Sequence, residues 1–334
     1  MSGIGQVTRK YAKLLGADYY VAGRDRVPPN EHVFMYALPI EHDFQLIRDL
    51  KTRSKSVTCM TICETETVHD DYGKLFRMFD GVAVQSKFCL DIFTRQFLDS
   101  CYFFIIHQYV PPIYKQVMPD VNFGIDPTKY TFYHIGNIID QRKNIRNLID
   151  AFYRCGFGHS AQLVLKATCN RRVEMNLPNV VILNGLIEDE NVLQQLHHRC
   201  NCYVSFSHSE GIGMGAVEAA LHDKPVIITE FGGACEYVKT PYTVRCGRTQ
   251  LQRDDFLFKK GMVWGDPDKD QLIQFMQDAH AQKLNHMDHT HTKFITGAGH
   301  VLDQFRVNVV GCKHNKPDED AAGHERPALG DEQH

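Results

Sequence analysis

The 334-residue chain has 37 Lys and Arg against 40 Asp and Glu, a formal net charge of -3, so no overall basicity directs it to nucleic acid. Apolar residues at 43% and charged residues at 23% suit one large or two medium cores and argue against disorder. Eleven cysteines without a CxxC pair read as reduced thiols of a cytoplasmic protein, and neither an apolar leader nor an 18-residue apolar run predicts secretion or membrane spanning. Peripheral membrane contact stays open.

In chain order, Ser2-Gly3-Ile4-Gly5 predicts a glycine loop for an acceptor or phosphate, built on Gly3 and Gly5, with a helix over 6–15. Strands are predicted at 19–22 and 32–38, a helix at 42–51, a strand at 57–62 and a helix at 72–79. A strand at 82–84, a helix at 87–97 and a strand at 103–107 complete the first half. Val110-Pro111-Pro112 breaks the pattern, and 113–128 reads as a linker. Strands then recur at 131–135, 163–166, 180–183, 202–206 and 226–229, with helices at 144–154, 189–199, 213–221 and 268–279, the last capped by Asp268. A C-terminal helix fits within 286–312, and the polar stretch 313–334 is read as disordered. Strands alternating with helices imply α/β domains with parallel sheets covered on both faces. The expected domains are 1–112, short and with no strand ahead of its glycine loop, and 129–285.

The segment from Tyr203 to Val238 carries the strongest chemical signal. An apolar run ends at Ser207-His208-Ser209-Glu210, and Gly211-Ile212-Gly213-Met214-Gly215 leads into a helix holding Glu218. Glycines admit an anion close to backbone N–H groups, and a helix N-terminus adds unpaired donors and the positive dipole end. Glu210 and Glu218, eight residues apart, can accept from hydroxyls on either side of such a phosphate. A surface carboxylate pair has the same spacing by chance, but Glu210 between an apolar run and three glycines is a poor place for an idle acid.

Glu-x7-Glu ahead of Lys224-Pro225-Val226-Ile227 resembles the retaining nucleotide-sugar glycosyltransferases of family 4. The stretches Tyr130–Phe152 and Val180–Gly211 extend the resemblance over roughly 130–280. It implies the GT-B fold, two Rossmann-like parallel-sheet domains facing each other across a cleft, here with a shortened N-terminal domain. It also implies a nucleoside-diphosphate sugar donor, a glycan, lipid or protein acceptor, and no metal or other cofactor.

In that resemblance Glu210 holds the transferred sugar, Glu218 the ribose, and amides near Gly211, Ile212, Gly213, Met214 and Gly215 the diphosphate. Asn184, Gly185, Leu186 and Ile187 would line the base. The family places an Arg after the glycine matching Gly136, and a Lys six residues later; here Asn137 replaces the Arg while Lys143 keeps the Lys. Asn137 supplies no charge, so adjacent Arg142 is the candidate substitute, the alternative being that Arg142 and Lys143 simply solvate a helix end. Near the acceptor the family commonly has a His; Glu64 falls there, and His69 is either its substitute or a loop residue.

Other readings are weaker. Gly3-Ile4-Gly5 with Asp25 hints at a nicotinamide-dependent dehydrogenase, but Thr8 occupies the third glycine position. A catalytically silent sugar-nucleotide-binding subunit and a non-hydrolysing epimerase also share the pattern. Asp266-Pro267-Asp268 could be a metal-binding DxD, although helix capping explains it better; His286, His289 and His291 read as solvated.

Overall fold

A computed structural model of the protein describes residues 3–21, 25, 27–112, 121–169, 171–187, 189–284 and 287–310. The first domain runs α1 (Gly3–Leu15), β1 (Asn30–Tyr36), α2 (Glu41–Lys51), β2 (Ser54–Thr61), α3 (Asp71–Phe76), β3 (Gly81–Val84), α4 (Lys87–Phe97) and β4 (Phe103–Ile105). The second begins β5 (Tyr130–Gly136), α5 (Ile145–Arg154), β6 (Ala161–Ala167), β7 (Val180–Leu183), α6 (Glu190–Arg199) and β8 (Cys202–Ser205). It continues α7 (Met214–Leu221), β9 (Val226–Thr229), α8 (Ala234–Tyr237), β10 (Thr243–Val244), β11 (Cys246–Gln250), β12 (Val263–Pro267) and α9 (Lys269–His280). Two short helices follow, α10 (Thr290–Ile295) and α11 (Ala298–Phe305).

Both main sheets are parallel, in the order β1-β2-β3-β4 and β10-β9-β8-β5-β6-β7. The central strands are buried on both faces, β2 from Ser56 and β6 throughout, as parallel strands covered by helices are. Helix α5 shows the matching 3.6-residue logic: Ile145, Leu148, Ala151 and Phe152 are buried, one stripe against the sheet. In the second sheet β5 and β8 are neighbours whose crossovers leave in opposite directions, through α5 to β6 and through α7 to β9. A crevice opens outside the carboxyl ends of strands at such a switch point.

Several expectations change. Gly3 and Gly5 lie in the first turn of α1, not in a loop, since N–H groups there need no helical partner and glycine is tolerated. Residues 19–21 are irregular instead of a strand. In the linker, 113–120 lie outside the described residues, while Phe123 is buried in the second domain's core. The C-terminal region forms two helices, and α11 returns to the first domain: Val301 and Phe305 pack with Tyr11, Met60, Ala83 and Ile106. The tail 313–334, Asp25's neighbours 24 and 26, and His286 fall outside the described residues. All described cysteines are free thiols, and no described helix is long and apolar enough to cross a membrane.

Candidate functional site

A cleft of about 1540 Å³ separates the two sheets and is lined from both domains. Its floor is the switch point. Strand β5 ends at Gly136, and the chain then makes a 3-10 turn over Gln141–Lys143 before α5 can start. Asp140 caps that turn, its carboxylate accepting from the Arg142 amide at 2.9 Å, and Asn144 takes a left-handed φ of 54°. The kink turns Arg142 and Lys143 into the cleft, which answers whether they merely solvate a helix: they do not.

From β8 the chain runs through Ser207 to Glu210, 9% exposed. Lys143 Nζ donates to both Glu210 carboxylate oxygens, at 2.6 and 2.7 Å, and the Ser207 hydroxyl donates to one of them at 2.7 Å. Burial alone would raise the Glu210 pKa; Lys143 and Arg142 overcome it and bring the group down to about 2. His208 fixes the loop from behind. Its ring stacks on Trp264 at 4.8 Å, and its backbone amide donates to the Arg142 carbonyl at 2.8 Å.

Arg142, 8% exposed, is committed inside the protein. One guanidinium nitrogen lies 2.7 Å from the Ser209 carbonyl, 3.0 Å from Glu64 and 3.2 Å from Glu210, and another lies 3.3 Å from Asp140. Burial disfavours its charge, but Glu64, Glu210 and Asp140 more than restore it and hold the pKa above its usual value. The Glu64 pKa moves up because burial outweighs Arg142, with Glu210 adding to the rise. Glu64 thus reaches across from the first domain to the second, also meeting the Gly211 amide at 3.4 Å.

The glycine turn is shaped by contact. Gly213 has φ +73° at the start of α7, a conformation that disfavours a side chain. A Cβ on Gly211 would stand 2.0 Å from Ile62 of the first domain, so the two domains touch there through backbone. The first amides of α7, at Met214 and Gly215, have no partner available within the helix and border the cleft with Ile212 and Gly213.

At the other end of the cleft, Glu218 lies 3.9 Å from Lys10 of α1 and 3.9 Å from His197 of α6. Lys10 also approaches Glu190 at 3.6 Å. Tyr133 meets His197 Nδ1 at 2.8 Å, while the buried Nε2 facing Glu218 has no hydrogen-bond partner. The sequence reading missed Lys10, His197 and Asp140. Nothing local marks Lys10 and His197, which acquire Glu218 from a distant segment, whereas Asp140 caps the turn that carries its partner Arg142 two residues on.

Of the expected site residues, Gly136, Asn137, Arg142, Lys143, Glu64, Leu186, Ile187, Glu210 and Glu218 all line the cleft. His69, Asn184, Gly185 and Gly211 do not. His69 points outside it to pair with Asp71 at 3.1 Å, which favours the loop-residue alternative. Asn184 is occupied by both backbone polar groups of Val173, at 2.8 and 2.9 Å, and Gly185 offers its carbonyl to Lys166. Gly211 lies behind Glu64, its amide turned to that carboxylate. Asp268 caps α9, its carboxylate accepting from Asp270 and Gln271 and pairing with Arg245 at 2.8 Å. Among the described residues no three His, Cys, Asp or Glu side chains are grouped as metal ligands.

Residues 129–255 match the family described as Glycosyl transferases group 1. No curated protein sequence matches the chain. Among solved structures it is similar to the E. coli trehalose-6-phosphate protein bound with UDP-2-fluoro glucose, with TM-score 0.57 and 10% identity over 84% of this chain and 73% of that one. It is similar to the UDP-forming α,α-trehalose-phosphate synthase of Burkholderia xenovorans in complex with glucose-6-phosphate, with TM-score 0.52 and 10% identity over 84% and 71%. A third is the pneumococcal O-GlcNAc transferase GtfA in complex with UDP and GlcNAc, with TM-score 0.54 and 12% identity over 80% of this chain and 54% of that one. Identities this low speak for the fold, while the family match rests on the sequence of the second domain. The chain therefore has the GT-B fold, and residues 129–255 within its second domain match the glycosyl transferases group 1 family model.

Proposed function

We propose that the protein is a retaining glycosyltransferase moving a sugar from a nucleoside-diphosphate sugar to an acceptor hydroxyl. The observation that carries this reading is the bidentate Lys143–Glu210 pair at the sheet's switch point, beside the open N-terminus of α7. A diphosphate placed there meets one cation and the amides of Met214 and Gly215, while Glu210 remains ionised to accept from sugar hydroxyls. As the bond from the sugar to the diphosphate oxygen breaks, charge grows on that oxygen, and Lys143 stabilises it. The acceptor hydroxyl attacks from the same face and gives its proton to the departing diphosphate. Leu186 and Ile187 pack beside the base, and Glu218 accepts from the ribose hydroxyls.

The test is a thermal-shift panel of UDP, GDP and ADP sugars, since a ligand that binds only the folded state raises its apparent stability. Transfer or slow donor hydrolysis should follow with the stabilising donor; binding without turnover would instead support the silent-subunit reading that Asn137 motivates. Glu218→Gln should weaken binding of the free nucleoside diphosphate by about 1–3 kcal/mol, the usual worth of a hydrogen bond to a charged group. Isothermal titration checks this, and unchanged affinity in a folded variant removes Glu218 from the ribose.

Here the diphosphate's charge is met by Lys143 and backbone amides, so we expect activity to persist in EDTA. Loss of activity in EDTA with recovery on adding manganese would shift attention to Asp266, which is exposed next to the capping Asp268.

A further inference from the structure

We propose that the mouth of the cleft beside Lys143 is a subsite for a neutral sugar acceptor, with the acceptor's apolar face stacked on Phe256. This rests on the transferase reading and adds the chemical class of its acceptor. Phe256 sits at the tip of a turn in the β11–β12 connection, closed by backbone bonds between Asp255 and Phe258 at 2.8 and 2.9 Å. Its φ of 53° is one that bulky side chains rarely adopt, and the residue is 64% exposed while lining the cleft. Its neighbours are anchored: Leu257 packs against the first domain's core, and Phe258 beside Trp264. The Gln141 amide donates to Asp255 at 2.9 Å, tying this turn to the segment that carries Arg142 and Lys143. Two anchored side chains and one strained, outward ring make a presented platform.

Apolar side chains of the first domain, Tyr36, Leu38 and Val68, also line the cleft, as does half-exposed Ile139 of the second. The charged groups there are the carboxylates of Glu64 and Asp140, with Arg142 already shared between them and Glu210. With Lys143 taken up by Glu210 and the donor's diphosphate, and Arg142 by Glu64, Asp140 and Glu210, no cation of this group is left for the phosphate of an anionic acceptor. Of the first domain's cations lining the cleft, Lys10 stands with Glu190 and Glu218 at the nucleotide end, and Arg9 lies over the Tyr19 ring. A pyranose suits both features: its C–H face covers an aromatic ring, and its rim hydroxyls donate to Glu64 and Asp140.

The experiment measures initial rates with the donor selected by the thermal-shift panel, using methyl and p-nitrophenyl hexopyranosides against hexose 6-phosphates as acceptors. The neutral glycosides should be preferred. Phe256→Ala should raise the glycoside KM about tenfold with donor KM unchanged, and Phe256→Trp should keep the parent value. Preference for a hexose 6-phosphate, or a glycoside KM unmoved by Phe256→Ala, overturns the subsite. Absence of donor binding, hydrolysis and transfer alike would defeat the transferase reading itself, a separate outcome that takes the subsite with it.

Discussion

Lys143→Ala is expected to lower kcat/KM by about 2–4 kcal/mol, with a substantial share of the loss in kcat. The diphosphate is already charged in the bound donor, but charge rises on the departing oxygen as the sugar leaves. A cation held there by geometry stabilises the transition state more than the ground state. The 3-10 turn and the left-handed Asn144 hold the lysine in that direction, and Glu210 grips its ammonium with both oxygens. Removing Lys143 also leaves Glu210 with Arg142 and Ser207 as its partners, so sugar orientation should suffer together with leaving-group stabilisation. Steady-state kinetics at saturating acceptor separate the two parameters. Near-normal kcat and kcat/KM would make this lysine only the counter-ion of Glu210.

For Arg142→Ala the larger expectation is in stability, a loss of about 3–5 kcal/mol read from urea unfolding. The sequence suggested that this arginine stands in for the charge missing at Asn137. The structure instead spends its fork on Glu64, Glu210, Asp140 and the Ser209 carbonyl. Deleting it leaves Glu64 and Asp140 without their cation in a poorly solvated site and Glu210 with Lys143 and Ser207 alone, and removing one side of a buried network costs far more than a surface pair. Because Glu64 belongs to the first domain, the loss should also weaken closure of the cleft. Arg142→Lys should recover part of the stability but not all, as a single ammonium cannot reach three carboxylates at once. A variant as stable as the parent would show the cluster to be hydrated, and would return Arg142 to the list of phosphate ligands.

The sequence by itself determined the alternation of strands and helices, the parallel sheets and the donor-side motif. Those features are local. Helix α4 and strands β7 and β9 lie where apolar periodicity and breakers place them, and Asp268 caps its helix as its position before Lys269 suggests. Glu210 and Glu218 were legible because strand, glycine turn and helix are contiguous in the chain. Only the tertiary structure decided which charges meet. Glu64, Arg142 and Glu210 are far apart in sequence, and the cluster exists because two sheets face each other across the Gly211–Ile62 contact. The same long-range packing left His69 outside the cleft, brought Lys10 and His197 to Glu218, and returned α11 to the first domain. Strand β11 escaped the periodicity because it is short and largely exposed, with no apolar face to mark it. Local chemistry writes the elements into the chain, whereas ion-pair partners and a presented ring such as Phe256 depend on where folding puts their neighbours.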